Sequence, residues 1–137
     1  MGRILAVDDE LDMLTLIKMI IEGYSNHQVT TTNNPLEVTE LLSKERFDLI
    51  ITDLKMPGLD GMELLDLAQK YDHEALIIMV TAFGSLESAE EAVRKGAFDY
   101  ISKPFRKEQL LLAIDKAMRW REMALQNKEL KKRLGGE

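Results

Sequence analysis

Acidic, hydroxyl and ammonium side chains stand at or just after the ends of short apolar runs in this sequence. A carboxylate in such a position costs desolvation free energy unless a cation or a hydrogen-bond donor pairs with it. The recurrence of these groups after separate runs indicates a charged site assembled from distant parts of the chain. The side chains concerned are those of Asp8, Asp9, Asp53, Thr81 and Lys103.

The carboxylates among them suit a hard metal ion. Three carboxylates that meet without a cation repel one another and raise each other's pKa. Mg²⁺ relieves this repulsion, because it takes oxygen ligands and is commonly held by one or two carboxylates together with waters and phosphate oxygens. We expect Asp9 and Asp53 to bind Mg²⁺ directly and Asp8 to bind it through water. Such a site would attract a phosphoryl group.

Each of these residues also has a structural interpretation when it is taken alone. The acidic residues 8–10 suit a helix N-terminus as well as they suit a metal site, because they complement the helix dipole. Asp53 alone suits a turn, Thr81 a strand end bonded to the backbone, and Lys103 a solvated surface. Their coincidence at one predicted edge of a sheet favours a shared site.

Short apolar runs alternate with helical stripes along the chain, which is typical of an α/β fold. The runs show too little alternation for half-exposed strands and therefore indicate buried parallel strands. The order predicts a parallel sheet covered by helices on both faces, with ligands outside the carboxyl ends of the strands. The predicted strands are residues 3–7, 28–32, 48–52, 75–81 and 98–101.

Capping and turn residues agree with this order of elements. We expect Asn34 and Asp60 to cap helices at their N-termini and Gly96 to end a helix. Pro57 and Gly58 suit the centre of a tight turn, because proline fixes φ and glycine permits φ > 0. The chain should therefore reverse direction shortly after Asp53.

Composition predicts one soluble domain with a helical appendage. The chain has 137 residues, of which 45% are apolar, no cysteine and a net charge of −6. Disulfides and thiolate metal sites are excluded, and no run suits a signal peptide or a membrane span, so we expect a cytoplasmic location. Residues 1–118 are acidic and 119–134 are basic. Direct nucleic-acid binding by this segment is not expected.

Four separated motifs resemble the receiver domain of bacterial two-component response regulators. The resemblance covers residues 1–118 and implies a flavodoxin-like, doubly wound sheet of five parallel strands in the order 2-1-3-4-5, with five helices. It also implies that Asp53 accepts a phosphoryl group from a sensor histidine kinase, with Mg²⁺ bound. The motifs are Val7 to Glu10, Ile51 to Gly61, Thr81-Ala82 and Phe98 to Phe105.

The resemblance assigns roles to the residues around Asp53. Lys55 gives its backbone carbonyl to the metal. Lys103 takes one phosphoryl oxygen, while the Thr81 hydroxyl and a backbone N–H at Ala82 take another. Family precedent also implies a cis peptide bond between Lys103 and Pro104.

A conformational switch is the further consequence of the resemblance. Thr81 moves toward the phosphoryl group and Tyr100 turns inward, which changes the face formed by helix 4, strand 5 and helix 5. An ordinary strand tyrosine is the alternative for Tyr100. The fourth helix should be weakly held, because small side chains dominate its apolar stripe of Leu86, Ala89, Ala92 and Val93.

The helical pattern after Phe105 continues to Leu134 and is too long for the domain. Residues 119–134 are expected to form a helical linker and residues 135–137 a flexible end. Leu111, Ile114 and Met118 should face the sheet. A second stripe predicts a heptad seam for a parallel homodimer, and a single exposed linker helix is the alternative. The seam includes Leu110, Ala113, Ala117, Trp120 and Ala124.

Residues 82–85 and 96–100 further resemble receivers of the sigma-54-dependent, nitrogen-regulator type of transcription activator. This resemblance implies output ATPase and DNA-binding domains in a longer protein. Two other functions remain open: a haloacid-dehalogenase-like Mg²⁺ phosphohydrolase and a pseudo-receiver that acts without phosphorylation. Lys55 argues against the first, since those enzymes carry a second aspartate at that position. No turnover of small molecules is expected.

Overall fold

Five β-α units build the fold. The computed structural model describes residues 2–71, 75–82 and 86–134, with the backbone alone for residues 86, 88 and 89. The strands are β1 (Arg3–Val7), β2 (Gln28–Thr32), β3 (Leu49–Asp53), β4 (Leu76–Ala82) and β5 (Asp99–Lys103). The helices are α1 (Leu11–Tyr24), α2 (Val38–Lys44), α3 (Gly61–Tyr71), α4 (Leu86–Arg94) and α5 (Lys107–Arg133).

The strands form one parallel sheet in the order β2-β1-β3-β4-β5, as predicted. β3 lies in the middle and is buried along its whole length, because its apolar side chains contact helices on both faces. In the β3–β4 register Asp53 stands opposite Val80, and in the β4–β5 register Ala82 stands opposite Lys103. The carboxyl ends of these strands therefore meet at one edge.

Two apolar clusters cover the two faces of the sheet. Ile4 and Ala6 of β1 belong to the cluster formed with α1 and α5, whereas Leu5 and Val7 belong to the cluster formed with α2 and α3. This alternation follows from the period of two in a strand. Each fully buried large aliphatic side chain contributes about 1.5–3 kcal/mol, so the sheet is a rigid support for its edge.

The predicted helix caps are confirmed, except that Asn34 caps a different helix from the one predicted. The Asn34 side chain accepts a hydrogen bond from the Leu36 N–H at 3.0 Å, but it caps a short 3₁₀ helix (Pro35–Glu37) that precedes α2. Asp60 caps α3, and Asp60 and Glu63 each accept a hydrogen bond from the other's backbone N–H. Gly58 has φ +90° in the predicted turn.

β5 extends beyond its predicted end at residue 101. The register with β4 continues to the pair Ala82 and Lys103, so Lys103 is the last residue of the strand. Gly96, which lies just after the C-terminal end of α4, adopts φ +124°, as expected for a residue that ends a helix. The strand extension matters because it fixes the backbone that carries the Lys103 side chain.

α5 uses three residues of the predicted dimer seam to cover the sheet. Leu110, Ala113 and Ala117 are buried in the core cluster, so their assignment to a free seam is wrong. Small side chains at 113 and 117 let the helix approach the sheet closely. Of the five seam residues, Trp120 and Ala124 lie beyond this packing, with Trp120 53% exposed.

α5 is continuous across the predicted boundary between receiver and linker at residue 118. The predicted flexible end, residues 135–137, lies outside the described residues. No helix in the described part of the chain is both long enough and apolar enough to cross a membrane.

Candidate functional site

The carboxyl edge of the sheet brings together three residues that lie far apart in the sequence. Asp53 ends the buried strand β3, Asp8 directly follows β1, and Lys103 ends β5. The Lys103 Nζ atom lies 3.0 Å from Asp8 Oδ2 and 3.2 Å from Asp53 Oδ2. The predicted convergence of these three side chains is therefore observed.

Asp8 is the most deeply buried acid of the site, with 1% of its side chain exposed. Burial raises the pKa of its carboxyl, and the hydrogen bonds from the Glu10 N–H and from Lys103 oppose that rise only in part. The charged form of Asp8 is thus costly in the protein alone. A further cation next to it would lower this cost.

Lys103 supplies the positive charge between the two acids. Burial alone would lower the pKa of its ammonium, but Asp8 and Asp53 outweigh that effect and raise it above its ordinary value. Lys103 therefore stays protonated at neutral pH. The peptide bond to Pro104 is cis, as predicted.

Asp53 has one carboxylate oxygen bonded to the backbone and one to Lys103. Its Oδ1 accepts a hydrogen bond from the Lys55 N–H at 3.3 Å, and its Oδ2 faces Lys103. The Leu54 N–H donates to the Val80 carbonyl at 3.2 Å, which ties the end of β3 to β4. The carboxylate is thus fixed at the rim of the sheet, where it is 12% exposed. The Lys55 side chain is exposed.

The acids at this edge form an all-oxygen donor set. Asp8, Asp9 and Glu10 each offer one carboxylate oxygen within 4.8 Å of the others. Asp9 and Glu10 are exposed, so water also reaches the cluster. These donors fit Mg²⁺, which prefers carboxylate oxygens and retains several waters. Glu10 was not among the predicted ligands, although its place beside two aspartates was a visible signal.

The remaining predicted residues lie on the adjoining strands. Thr81 is buried, and its hydroxyl donates to the Ala82 carbonyl at 3.5 Å. Ala82 is exposed at the end of β4. Tyr100 pairs with Met79 in the β4–β5 register and packs, half-buried, on the second core cluster. Their contacts with a phosphoryl group and their part in a switch stay predictions.

Gly61 is a residue of this edge whose packing the sequence did not reveal. It is the first residue of α3, it is buried, and its N–H donates to the Leu54 carbonyl at 2.8 Å. The first position of a helix tolerates most side chains and does not by itself require glycine. A glycine at that position was therefore a signal in the sequence that the site is crowded. The helix start thus lies directly against the end of β3.

Comparison with known proteins agrees with this architecture. The family described as response regulator receiver domain matches residues 4–115. The transcriptional regulatory protein GlrR of Escherichia coli K12 is 36% identical over 144 residues, which cover 97% of this chain and 32% of that protein. The chemotaxis protein CheY of Listeria monocytogenes is 35% identical over 117 residues, which cover 85% of this chain and 98% of CheY.

A solved structure gives the same result in three dimensions. NtrX from Brucella abortus superposes with a TM-score of 0.91 at 30% identity, covering 97% of this chain and 30% of that chain. The chain spans about a third of the length of such regulators. The predicted resemblance to receivers, including those of transcription regulators, is confirmed. This chain belongs to the response regulator receiver domain family.

Proposed function

We propose that this chain is a phosphorylation-dependent switch in which Asp53 accepts a phosphoryl group from a sensor histidine kinase in the presence of Mg²⁺. The observation that carries the proposal is the ammonium of Lys103, bonded to both Asp8 and Asp53 at the rim of the sheet. A buried structural ion pair would need one acid for one base. Here the acids exceed the base, which suits a site that receives further charged groups.

The transfer is a displacement at phosphorus. A carboxylate oxygen of Asp53 forms a bond to phosphorus while the bond from phosphorus to the kinase histidine nitrogen breaks, and the imidazole keeps that electron pair. The carboxylate attacks without losing a proton, so the site needs no general base. Asp8, Asp9, Asp53 and the Lys55 carbonyl would hold Mg²⁺, which when bound would supply positive charge to neutralise the phosphoryl oxygens.

Two parts of the chain meet the remaining phosphoryl oxygens. Lys103 exchanges its contact with Asp53 Oδ2 for a phosphoryl oxygen while it stays beside Asp8. The Thr81 hydroxyl and the Ala82 N–H bind another oxygen, for which Thr81 gives up its contact with the Ala82 carbonyl. Donors fixed in advance at the rim stabilise the developing charge without reorganisation.

The conformational response lies in α4 and β5. Among the described side chains of α4, Ala92 is buried and Val93 is 39% exposed, so these two apolar side chains add little to holding the helix. When Thr81 moves, the chain that follows it shifts α4, and the half-buried Tyr100 moves further inward. A local charge event thus biases a two-state element on the face of α4, β5 and α5.

The output of the switch is the association of two receiver chains and the control of transcription. GlrR is named a transcriptional regulatory protein, and this chain matches a part of it. We place this chain in the cytoplasm as the receiver of a larger activator whose ATPase and DNA-binding domains lie outside it. It makes no direct contact with nucleic acid or membrane.

A homodimer forms through the exposed apolar side chains that α5 presents beyond the sheet. They include Trp120, Met123, Leu130 and Leu134. Sedimentation velocity with and without beryllofluoride, which mimics the phosphoryl group, tests this step. A strict monomer under both conditions would remove the dimer from the proposal, and a Trp120→Asp variant should associate less than the native chain.

Mass spectrometry after incubation with acetyl phosphate and Mg²⁺ tests the proposed function itself. The native chain should gain one phosphoryl group, and Asp53→Asn should gain none. Equal uptake by both chains, or uptake by neither, would contradict the assignment of Asp53. Multiple turnover of small phosphate esters by the native chain would favour the phosphohydrolase instead.

A further inference from the structure

Two glycines lie three residues apart in the connection between β3 and α3, and they differ in the reason for being glycine. Gly58 has φ +90°, but a Cβ atom built on it meets nothing within 4 Å. Gly61 has no positive φ, yet a Cβ atom there would collide with its surroundings. Gly58 therefore supplies conformational freedom, whereas Gly61 supplies space.

The space at Gly61 is bounded by the backbone of the phosphoacceptor strand. A Cβ atom at Gly61 would lie 2.8 Å from the Asp53 carbonyl oxygen, 2.8 Å from Leu54 Cα and 3.0 Å from Met79 Sδ. Optimal contacts between non-bonded heavy atoms are about 3.5–4.0 Å. Backbone atoms cannot rotate away as a flexible side chain does, and Met79 is fully buried. A methyl group at this position therefore displaces either the helix or the strand end.

α3 is held too firmly to retreat at low cost. Its first turn is capped by Asp60 together with Glu63. The same helix buries Leu64, Leu65 and Ala68 in the second core cluster. Moving the helix outward by a few tenths of an ångström would loosen this packing along two turns, so part of the displacement falls on Asp53 and Leu54.

We propose that Gly61 is a positioning residue for phosphoryl transfer: its missing side chain lets α3 set the backbone of Asp53, and thereby its carboxylate, against Lys103. The inference rests on the proposed function. The contacts at stake are those from Asp53 Oδ1 to the Lys55 N–H and from Asp53 Oδ2 to Lys103 Nζ. An in-line displacement depends steeply on alignment of the reacting atoms.

The variants Gly61→Ala and Gly58→Ala separate positioning from stability. Both substitutions should lower the melting temperature by a few degrees, the first through the collision and the second through strained φ. The initial rate of phosphoryl uptake from acetyl phosphate with Mg²⁺ should fall at least about tenfold in Gly61→Ala. It should stay within about twofold of the native rate in Gly58→Ala.

Equal rates in Gly61→Ala and the native chain would overturn the inference, as would rate losses that follow the loss of stability in both variants. Absence of phosphoryl uptake by the native chain would instead overturn the proposed function. If Gly61→Ala does not fold, a Met79→Ala background relieves one of the three collisions. The two backbone collisions persist there, so Gly61→Ala should still slow uptake relative to Met79→Ala alone, and equal rates would overturn the inference.

Discussion

The two ends of β3 carry the same kind of ion pair with different surroundings. At the carboxyl end, Asp53 lies 3.2 Å from the Lys103 ammonium. At the amino end, Asp48, which directly precedes the strand, lies 2.8 Å from the Arg121 guanidinium of α5. In both cases a cation from a distant part of the sequence meets an aspartate at the limit of the central strand.

Asp48 has a partner for each of its polar groups. Its N–H donates to the Arg3 carbonyl, its Oδ2 accepts from the Arg3 N–H, and its carbonyl accepts from the Leu76 N–H. Its Oδ1 faces Arg121. This aspartate joins β1, β4 and α5, and its negative charge is balanced.

Asp53 belongs to a group with an excess of negative charge. In the described part of the chain, the ion pairs of Asp8, Glu10 and Asp53 are all made with Lys103. One ammonium cannot neutralise these carboxylates together with Asp9. We therefore infer that an ion pair alone does not mark a reactive aspartate, whereas the uncompensated carboxylates around Asp53 do.

The largest expected effect of breaking either pair is on phosphoryl uptake. Lys103→Met should lower its rate by about 10²- to 10³-fold, because a donor for the transferred group is lost. Arg121→Met removes a cation from the opposite end of β3 and should leave the rate within about twofold. Initial rates with acetyl phosphate and Mg²⁺ measure both. A comparable loss in the two variants would mean that the ends of the strand do not differ in function.

The next effect is on stability at the amino end. Asp48→Ala should lower the free energy of unfolding by about 2 kcal/mol, because the Arg3 N–H loses its acceptor and Arg121 loses one of its partners. Asp48→Asn keeps an amide oxygen for Arg3 and should cost about half as much. Urea unfolding measures both values. A cost that is the same for both substitutions would show that the hydrogen bond to Arg3 contributes nothing.

A smaller effect of opposite sign is expected at the carboxyl end. Without divalent ions, Asp8→Asn should raise the free energy of unfolding slightly, since burial raises the pKa of Asp8 and so disfavours its charged form in the folded chain. Adding Mg²⁺ should raise the melting temperature of the native chain and leave that of the variant nearly unchanged. Destabilisation by Asp8→Asn in metal-free buffer would show that its ion pair with Lys103 outweighs the cost of burial.

The smallest and most specific expected effect is the pH dependence of the stability difference between Asp8→Asn and the native chain. The pKa of Asp8 is raised in the folded chain above its ordinary value of 3.8, so folding takes up a proton in the window between the two values. The contribution of Asp8 to stability is therefore largest on the acid side of that window and is lost as the pH rises. In metal-free buffer, the excess in free energy of unfolding of Asp8→Asn over the native chain should shrink as the pH falls from about 7 to about 4. An advantage that stays constant would mean that the pKa of Asp8 is not raised.

Much of the fold was predictable because buried parallel strands leave uninterrupted apolar runs. Four of the five predicted strands match the observed ones within one residue at both ends, and β5 alone extends two residues further at its end, to Lys103. The convergence of Asp8, Asp53 and Lys103 followed from the rule that the carboxyl ends of parallel strands share an edge. Sequence periodicity and topology together sufficed for this part of the site.

The errors arose where several faces of one helix are apolar. Leu110, Ala113 and Ala117 form one stripe of α5, and Leu111 and Met118 lie on another, so periodicity alone does not decide which stripe meets the sheet. Both stripes meet the core. Leu110, Ala113 and Ala117 are buried in it, and the predicted sheet-facing residues are confirmed, since Ile114 is buried and Leu111 and Met118 pack partly buried against the same cluster. The collision avoided at Gly61 was likewise invisible, because it depends on where α3 returns to β3.

The contact between Arg121 and Asp48 has a mechanical consequence. Side chains of α5 are buried in the core as far as Ala117. The ion pair between Arg121 and Asp48 fixes the next turn, and the helix continues to Arg133. The portion beyond Arg121 is about 18 Å long at 1.5 Å per residue, so a tilt of about 10° at its base would carry its tip through about 3 Å. Any tilt of α5 about this contact would therefore begin at the residue that precedes β3, the strand that ends in Asp53.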